Sequence, residues 1–215
     1  MFAETGSQEP LLSFRVMLFV LLVLTASAGA ARAGILVQGS MEGVPVRFEM
    51  GHDRTRVLAE IDGSRHLLDL AGDAIYRLDG ARPMRLRAGL LDDGASMLAY
   101  RLADWSPGPP VAGHGSRYNV LTVGEEICGE VLSSRWMLEF LGPLVRSVGL
   151  MQRLEPAIRP RDRGTCGAIP FDTYARNGWP LMAGWKNATA FETTEVRFDH
   201  NAPPDRFALP RDYDE

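Results

Sequence analysis

From Ile35 onward apolar and polar residues alternate in short runs, each broken by Gly or Asp, and this period of two predicts strands. Ile35 to Met41, Val44 to Met50, Arg56 to Ile61, His66 to Leu70 and Ala74 to Leu78 fit the pattern. Glu42-Gly43, Gly51 to Arg54, Asp62-Gly63, Gly72-Asp73 and Asp79-Gly80 supply the turns. Asp-Gly between two such runs favours a tight hairpin, because Gly accepts the positive φ of a primed turn. The expectation is an antiparallel meander that buries one face.

Residues 103–116, ADWSPGPPVAGHGS, are rich in Pro and Gly and read as a loop, with Trp105 placed either on the sheet rim or over an apolar opening. A further hairpin follows, Tyr118 to Val123 and Glu126 to Leu132. The period then changes. After Ser133 and Ser134, residues suited to capping a helix, Met137, Leu141, Leu144, Val145, Val148 and Met151 recur at spacings of three and four. That spacing makes one apolar helix face, which Trp136, Phe140 and Leu150 widen. Gly142-Pro143 predicts a kink or a split into two helices. Strands return at Gly167 to Tyr174, Trp179 to Trp185 and Ala190 to Asp199, and Phe207 and Leu209 are expected to pin the proline-rich tail. The fold class is therefore mainly β (α+β), a curved antiparallel sheet or half-barrel with an apolar helical segment on its concave face.

Upstream, the apolar run Val16 to Leu24 is too short to span a bilayer comfortably. It leads into Ala31-Arg32-Ala33, an A-x-A site that a signal peptidase accepts. Residues 1–33 are expected to be a signal peptide and 34–215 a single exported domain, periplasmic or secreted. The segment before the run carries Glu4 and Glu9 against Arg15, which leaves room for a start at Met17 or for an uncleaved anchor. Ala26-Ser27-Ala28 and Ala28-Gly29-Ala30 offer other cuts, and no cysteine follows any of them to take a lipid.

Composition adds three constraints. Loss of Glu4, Glu9, Arg15 and Arg32 with the leader leaves the formal charge at −4, so nothing calls for a nucleic-acid partner. Cys128 and Cys166 lack a C-x-x-C spacing, and export makes one disulfide the expected outcome. The histidines at 52, 66, 114 and 200 are scattered without ligand spacing and read as ordinary surface residues, so no metal or cofactor is expected. Asp53, Asp62, Asp92 and Asp93 fall in or near turns, where carboxylates cap backbone amides. Ser133-Ser134 lacks the G-x-S-x-G frame of a hydrolase, and Asn187-Ala188-Thr189 is a glycosylation sequon by pattern alone. No catalytic residue is assigned.

The strand Y-N-V-x-x-V-G-x-x-x-C-G-x-V-x-x-S (Tyr118 to Ser134), the apolar helix, N-G-W-P-L (Asn177 to Leu181) and F-A-L-P-R-D-Y (Phe207 to Tyr213) come in an order that resembles small bacterial periplasmic proteins of unknown function. These resemble in turn the LolA/LolB-like lipoprotein-carrier half-barrels. The resemblance implies a curved sheet around a helical lid, with apolar space between them for acyl chains. Its motifs assign no binding residue here. The helix itself suggests a wall of Trp136, Met137, Phe140, Leu141 and Met151, because it is apolar over more of its circumference than one sheet face requires. A non-enzymatic carrier of a lipid-like ligand is thus the first expectation. An envelope module that binds another protein through a sheet edge, with a fully packed interior, is the alternative; an enzyme comes third.

Overall fold

In the computed structural model the described residues are 33–86, 98–185 and 188–214. All of the expected leader but Ala33 therefore lies outside the described residues, as do Asp92, Asp93, Lys186, Asn187 and the side chain of Trp105. The eleven described strands form one antiparallel sheet in the order β6-β5-β4-β3-β2-β1-β11-β10-β9-β8-β7. The meander comprises β1 (Gly34–Met41), β2 (Val44–Met50), β3 (Arg56–Ile61), β4 (Ser64–Asp69), β5 (Ala74–Arg77) and β6 (Met84–Leu86). Its first and third connections are tight, with positive φ at Glu42 and Gly43 and again at Asp62 and Gly63, the backbone signature of a primed hairpin turn.

The second half runs β7 (Tyr100–Val111), β8 (His114–Val123), β9 (Glu126–Ser134), helix α1 (Arg135–Leu154), the four-residue helix α2 (Phe171–Tyr174), β10 (Trp179–Trp185) and β11 (Ala188–His200). The sheet is continuous because β1 pairs with β2 on one side and with β11 on the other. Backbones approach closely along this seam: a Cβ on Gly39 would stand 2.0 Å from the Glu192 carbonyl oxygen, and one on Gly34 2.4 Å from that of Met50.

The concave face and α1 share one core. Val57, Ala59, Leu68, Leu121, Val131, Leu181 and Ala183 from the strands meet Met137, Leu141, Leu144, Val148 and Met151 from the helix, all fully buried. Phe171, Trp179 and Phe191 pack edge-to-face within it at 5.0–6.0 Å between centroids, and the Trp179 indole N–H donates to Thr193 Oγ1. On the opposite face of the meander the alternate residues Leu58, Leu67 and Tyr76 carry a second, smaller core under Phe207, Leu209 and Tyr213 of the tail. The tail is pinned as its two apolar residues suggest.

Three expectations change. Residues 103–116 are not a loop but the two arms of the β7–β8 hairpin, turning at Ala112-Gly113. Proline is tolerated there because β7 is an edge strand, where a missing N–H costs no ladder bond on the open side. Gly167 to Tyr174 is not a strand. Gly167 sits at φ 58° beside the disulfide, Pro170 starts α2, and the Gln152 side chain accepts the Phe171 N–H at 2.9 Å. Helix α1 continues through Gly142-Pro143 as one element. The carbonyl that Pro143 cannot pair belongs to Glu139, which is exposed. Ser134 does hold the N-cap position, but its hydroxyl makes no cap bond; Ser133 Oγ instead accepts from Asn119 Nδ2 at 2.9 Å.

The Cys128–Cys166 disulfide forms as expected, with Cα atoms 5.5 Å apart across 38 residues. It ties β9 to the turn after the helix rather than to a strand. Closing a loop of that length removes unfolded-chain entropy worth roughly 4 kcal/mol. Since Leu144 is completely enclosed by helix and sheet, Leu144→Ala is expected to lower unfolding stability by about 2–5 kcal/mol, measured by urea denaturation of the oxidised protein. A loss well below that range would mean the helix is not part of the core.

Candidate functional site

The five residues expected to wall a ligand space are divided by the helix. Met137, Leu141 and Met151 point into the core and are fully buried, whereas Trp136 and Phe140 point out and are 44% and 37% exposed. Trp136 and Phe140 are one turn apart and pack against Phe198 of β11, with centroids at 5.2 and 5.5 Å. His114, at the tip of the β7–β8 hairpin, lies 5.7 Å from Trp136. The Arg54 guanidinium stands over Phe140 at 5.6 Å, within the range of a cation–π contact. These groups form an aromatic rim where α1 begins. The expected set thus supplies half of a core and half of a surface patch.

A larger apolar hollow lies on the other side of the sheet. Across the ladders Leu132 faces Tyr118 and Met182, while Val131 faces Ala183. Val131 and Ala183 are buried against the helix, so Tyr118, Leu132 and Met182 point outward. With Ile127, Glu130 and Trp185 they line an open trough of about 830 Å³. Gly184 faces Glu130 in its floor, so one of these two paired positions carries no side chain. Ile127 and Met182 are 59% and 39% exposed, an unusual state for large aliphatic residues on adjacent strands. Partial burial, and then the hydrogen bond to Glu130, push the Tyr118 hydroxyl above its ordinary value. Tyr118 therefore keeps its proton and the trough carries one carboxylate. The alternation of β8, β9 and β10 held the signal for this surface: each places an apolar residue on the face opposite the core.

A third cluster is buried at the far end of α1. His66 is fully buried, facing the core beside Leu68, which corrects its expected surface position; its cross-strand partner Ala59 shows the same inward face. Its Nε2 lies 3.0 Å from Glu155 Oε1 at the helix C-cap, and Arg77 approaches the same carboxylate at 3.4 Å. Arg77 Nε also approaches Nε2 at 3.5 Å, and Nδ1 has no hydrogen-bond partner among the described residues. No group of His, Cys, Asp and Glu among the described residues could hold a metal ion, and none of the described helices is long and apolar enough to cross a membrane.

No protein-family model and no curated protein matches the chain. Among solved structures it is similar to PNGF-II in a C2 crystal form, with a TM-score of 0.40 and 11% identity over 86% of this chain and 31% of that one. It is also similar to MucB, with a TM-score of 0.31 and 13% identity over 87% of this chain and 62% of that one. The chain spans less than two thirds of either, and both likenesses are too slight to bear on function.

The buried cluster does predict a pH response. Desolvation holds the His66 imidazole below its ordinary 6.5, opposed by Glu155 and reinforced by Arg77. The unfolded chain therefore binds more protons than the folded one, and stability present above pH 6.5 is lost as pH falls below it. The urea midpoint is expected to drop between about pH 7.5 and about pH 5.5, and to drop less in His66→Gln. An equal drop in both would remove His66 as the cause.

Proposed function

We propose that the protein acts by binding rather than by catalysis, as an exported carrier of a lipid-like ligand that lies in the outer trough of β8, β9 and β10. The trough carries this reading: its volume, about 830 Å³, is within the range of about 300–1,000 Å³ typical of small-molecule sites, and its walls are mostly apolar. The space between helix and sheet is a poorer candidate, because Met137, Leu141, Leu144, Val148 and Met151 already fill it. Export rests on the Val16–Leu24 run and the A-x-A site, and the Cys128–Cys166 bond is compatible with an oxidising compartment. The element order that resembles the LolA/LolB-like carriers points to the same class of ligand, though at a different place on the sheet.

The polar groups narrow the chemistry. Glu130 with the protonated Tyr118 hydroxyl disfavours an anionic head at the trough floor and suits an apolar body with a neutral donor. A fluorescent monoacylglycerol analogue is expected to bind saturably, and more tightly than the matching fatty acid. Met182→Glu, at an exposed position, should weaken the neutral probe at least about tenfold, about 1.4 kcal/mol. Leu141→Trp should instead destabilise the fold by overpacking. If no saturable binding is seen, or if Met182→Glu leaves the affinity unchanged, the trough is not a ligand site and the protein-interaction reading leads.

A further inference from the structure

We infer that the aromatic rim at the start of α1, together with the tip of the β7–β8 hairpin, is a docking surface for the interface of a lipid bilayer. The proposal rests on other observations than the trough, with which the hairpin tip shares Pro109. Three observations carry it. The first is composition: from Ser106 to Ser116 the hairpin tip contains no Asp, Glu, Lys or Arg. Pro107, Pro109, Pro110 and Ala112 are all exposed there. His114 joins this tip to Trp136 and Phe198 at 5.7 and 6.3 Å, so tip and aromatic cluster form one apolar edge. Tryptophan at such an edge suits the headgroup level, where one side of the ring is wet and the other apolar.

The second observation is where the chain enters the domain. Gly34 pairs with His200, two residues along β11 from Phe198, so the segment that precedes β1 approaches the domain at this rim. Leu24, the last residue of the apolar run, is ten residues before Gly34. Even fully extended, that length reaches only about 35 Å. While the run is held in a bilayer, the edge at which the chain enters the domain stays within that distance of the membrane surface.

The third is charge. Arg54 and Arg135 are offset by Asp53 and Glu139, Arg197 pairs with Glu195, and Asp199 leaves a slight negative excess. Docking is therefore apolar, and zwitterionic lipid suffices. This is a membrane contact separate from the leader, to which the sequence pattern alone confined the membrane.

The test uses the full chain, made without signal peptidase and reconstituted one copy per disc into phosphatidylcholine nanodiscs. Tryptophan emission is compared between the chain and Trp136→Phe, with ordinary and brominated phosphatidylcholine. The bromines are expected to quench a component that Trp136→Phe lacks, and that component should be shielded from aqueous iodide. Ala112→Asp, at a turn position whose positive φ of 48° aspartate accepts, should abolish both effects while leaving the unfolding midpoint unchanged. Raising salt or adding phosphatidylglycerol should change neither. Quenching identical in Trp136→Phe, a Trp136 open to iodide in the disc, or shielding that depends on the anionic lipid would each overturn the proposal; the second outcome would assign the rim to a protein partner.

Discussion

The fold depends on the seam between its first and last long strands. β1 carries the N-terminal meander on one edge and β11 on the other, and Gly34 to Met41 pair with residues 191–200 over a separation of 150 positions or more. Without that ladder the molecule would be a five-connection meander and a separate β7–β11 unit, and neither could cover α1 alone. The seam is also where side chains are least tolerated. At Gly39 an added Cβ would collide with the Glu192 backbone rather than with a movable side chain, so this glycine is fixed by the approach of two main chains. Pairing over so long a loop is entropically costly, and the disulfide reduces the same cost in the second half by shortening the free chain between β9 and β10.

Joining the two halves this way decides what the helix can do. A sheet curled around α1 presents inward residues from strands of both halves, and the helix answers with a stripe fully withdrawn from water. A stripe that complete is core. The excess apolar character that suggested a ligand wall is real, but Trp136 and Phe140 lie on the flank of the helix and gather Phe198, His114 and Arg54 around them. The apolar surface left for function is thus outside the half-barrel, at the rim and across the back of the sheet.

The meander was legible because its signals are local. Alternation placed β2, β3 and β10 with their observed ends, and the Glu42-Gly43 and Asp62-Gly63 turns need only two residues to be recognised. The failures share a different cause. Prolines 107, 109 and 110 break a strand only if it is central, and edge position is a property of the finished sheet. The end of α1 hides a similar case, since Gln152 caps α2 from another element. His66 looked like a surface histidine because its burial depends on Ala59 across the ladder and Glu155 at the far end of the helix. The trough was written in the outward residues of three strands, yet only their register brings Leu132, Tyr118 and Met182 side by side.

The β7–β8 hairpin links the two outward surfaces. Pro109 belongs both to the uncharged tip and to the lining of the trough, and β7 is an edge of the described sheet where prolines replace donors. A backbone without those N–H groups is a poor template for another strand, so β7 resists the sheet-edge pairing by which a protein partner would most simply add itself. What β7 offers toward its tip in place of hydrogen bonds is exposed Pro107, Pro109 and Pro110, while nearer its start it carries Arg101 and the Asp104–Arg117 ion pair. The same prolines that hid the strand from its sequence pattern therefore leave its exposed edge short of donors for another strand.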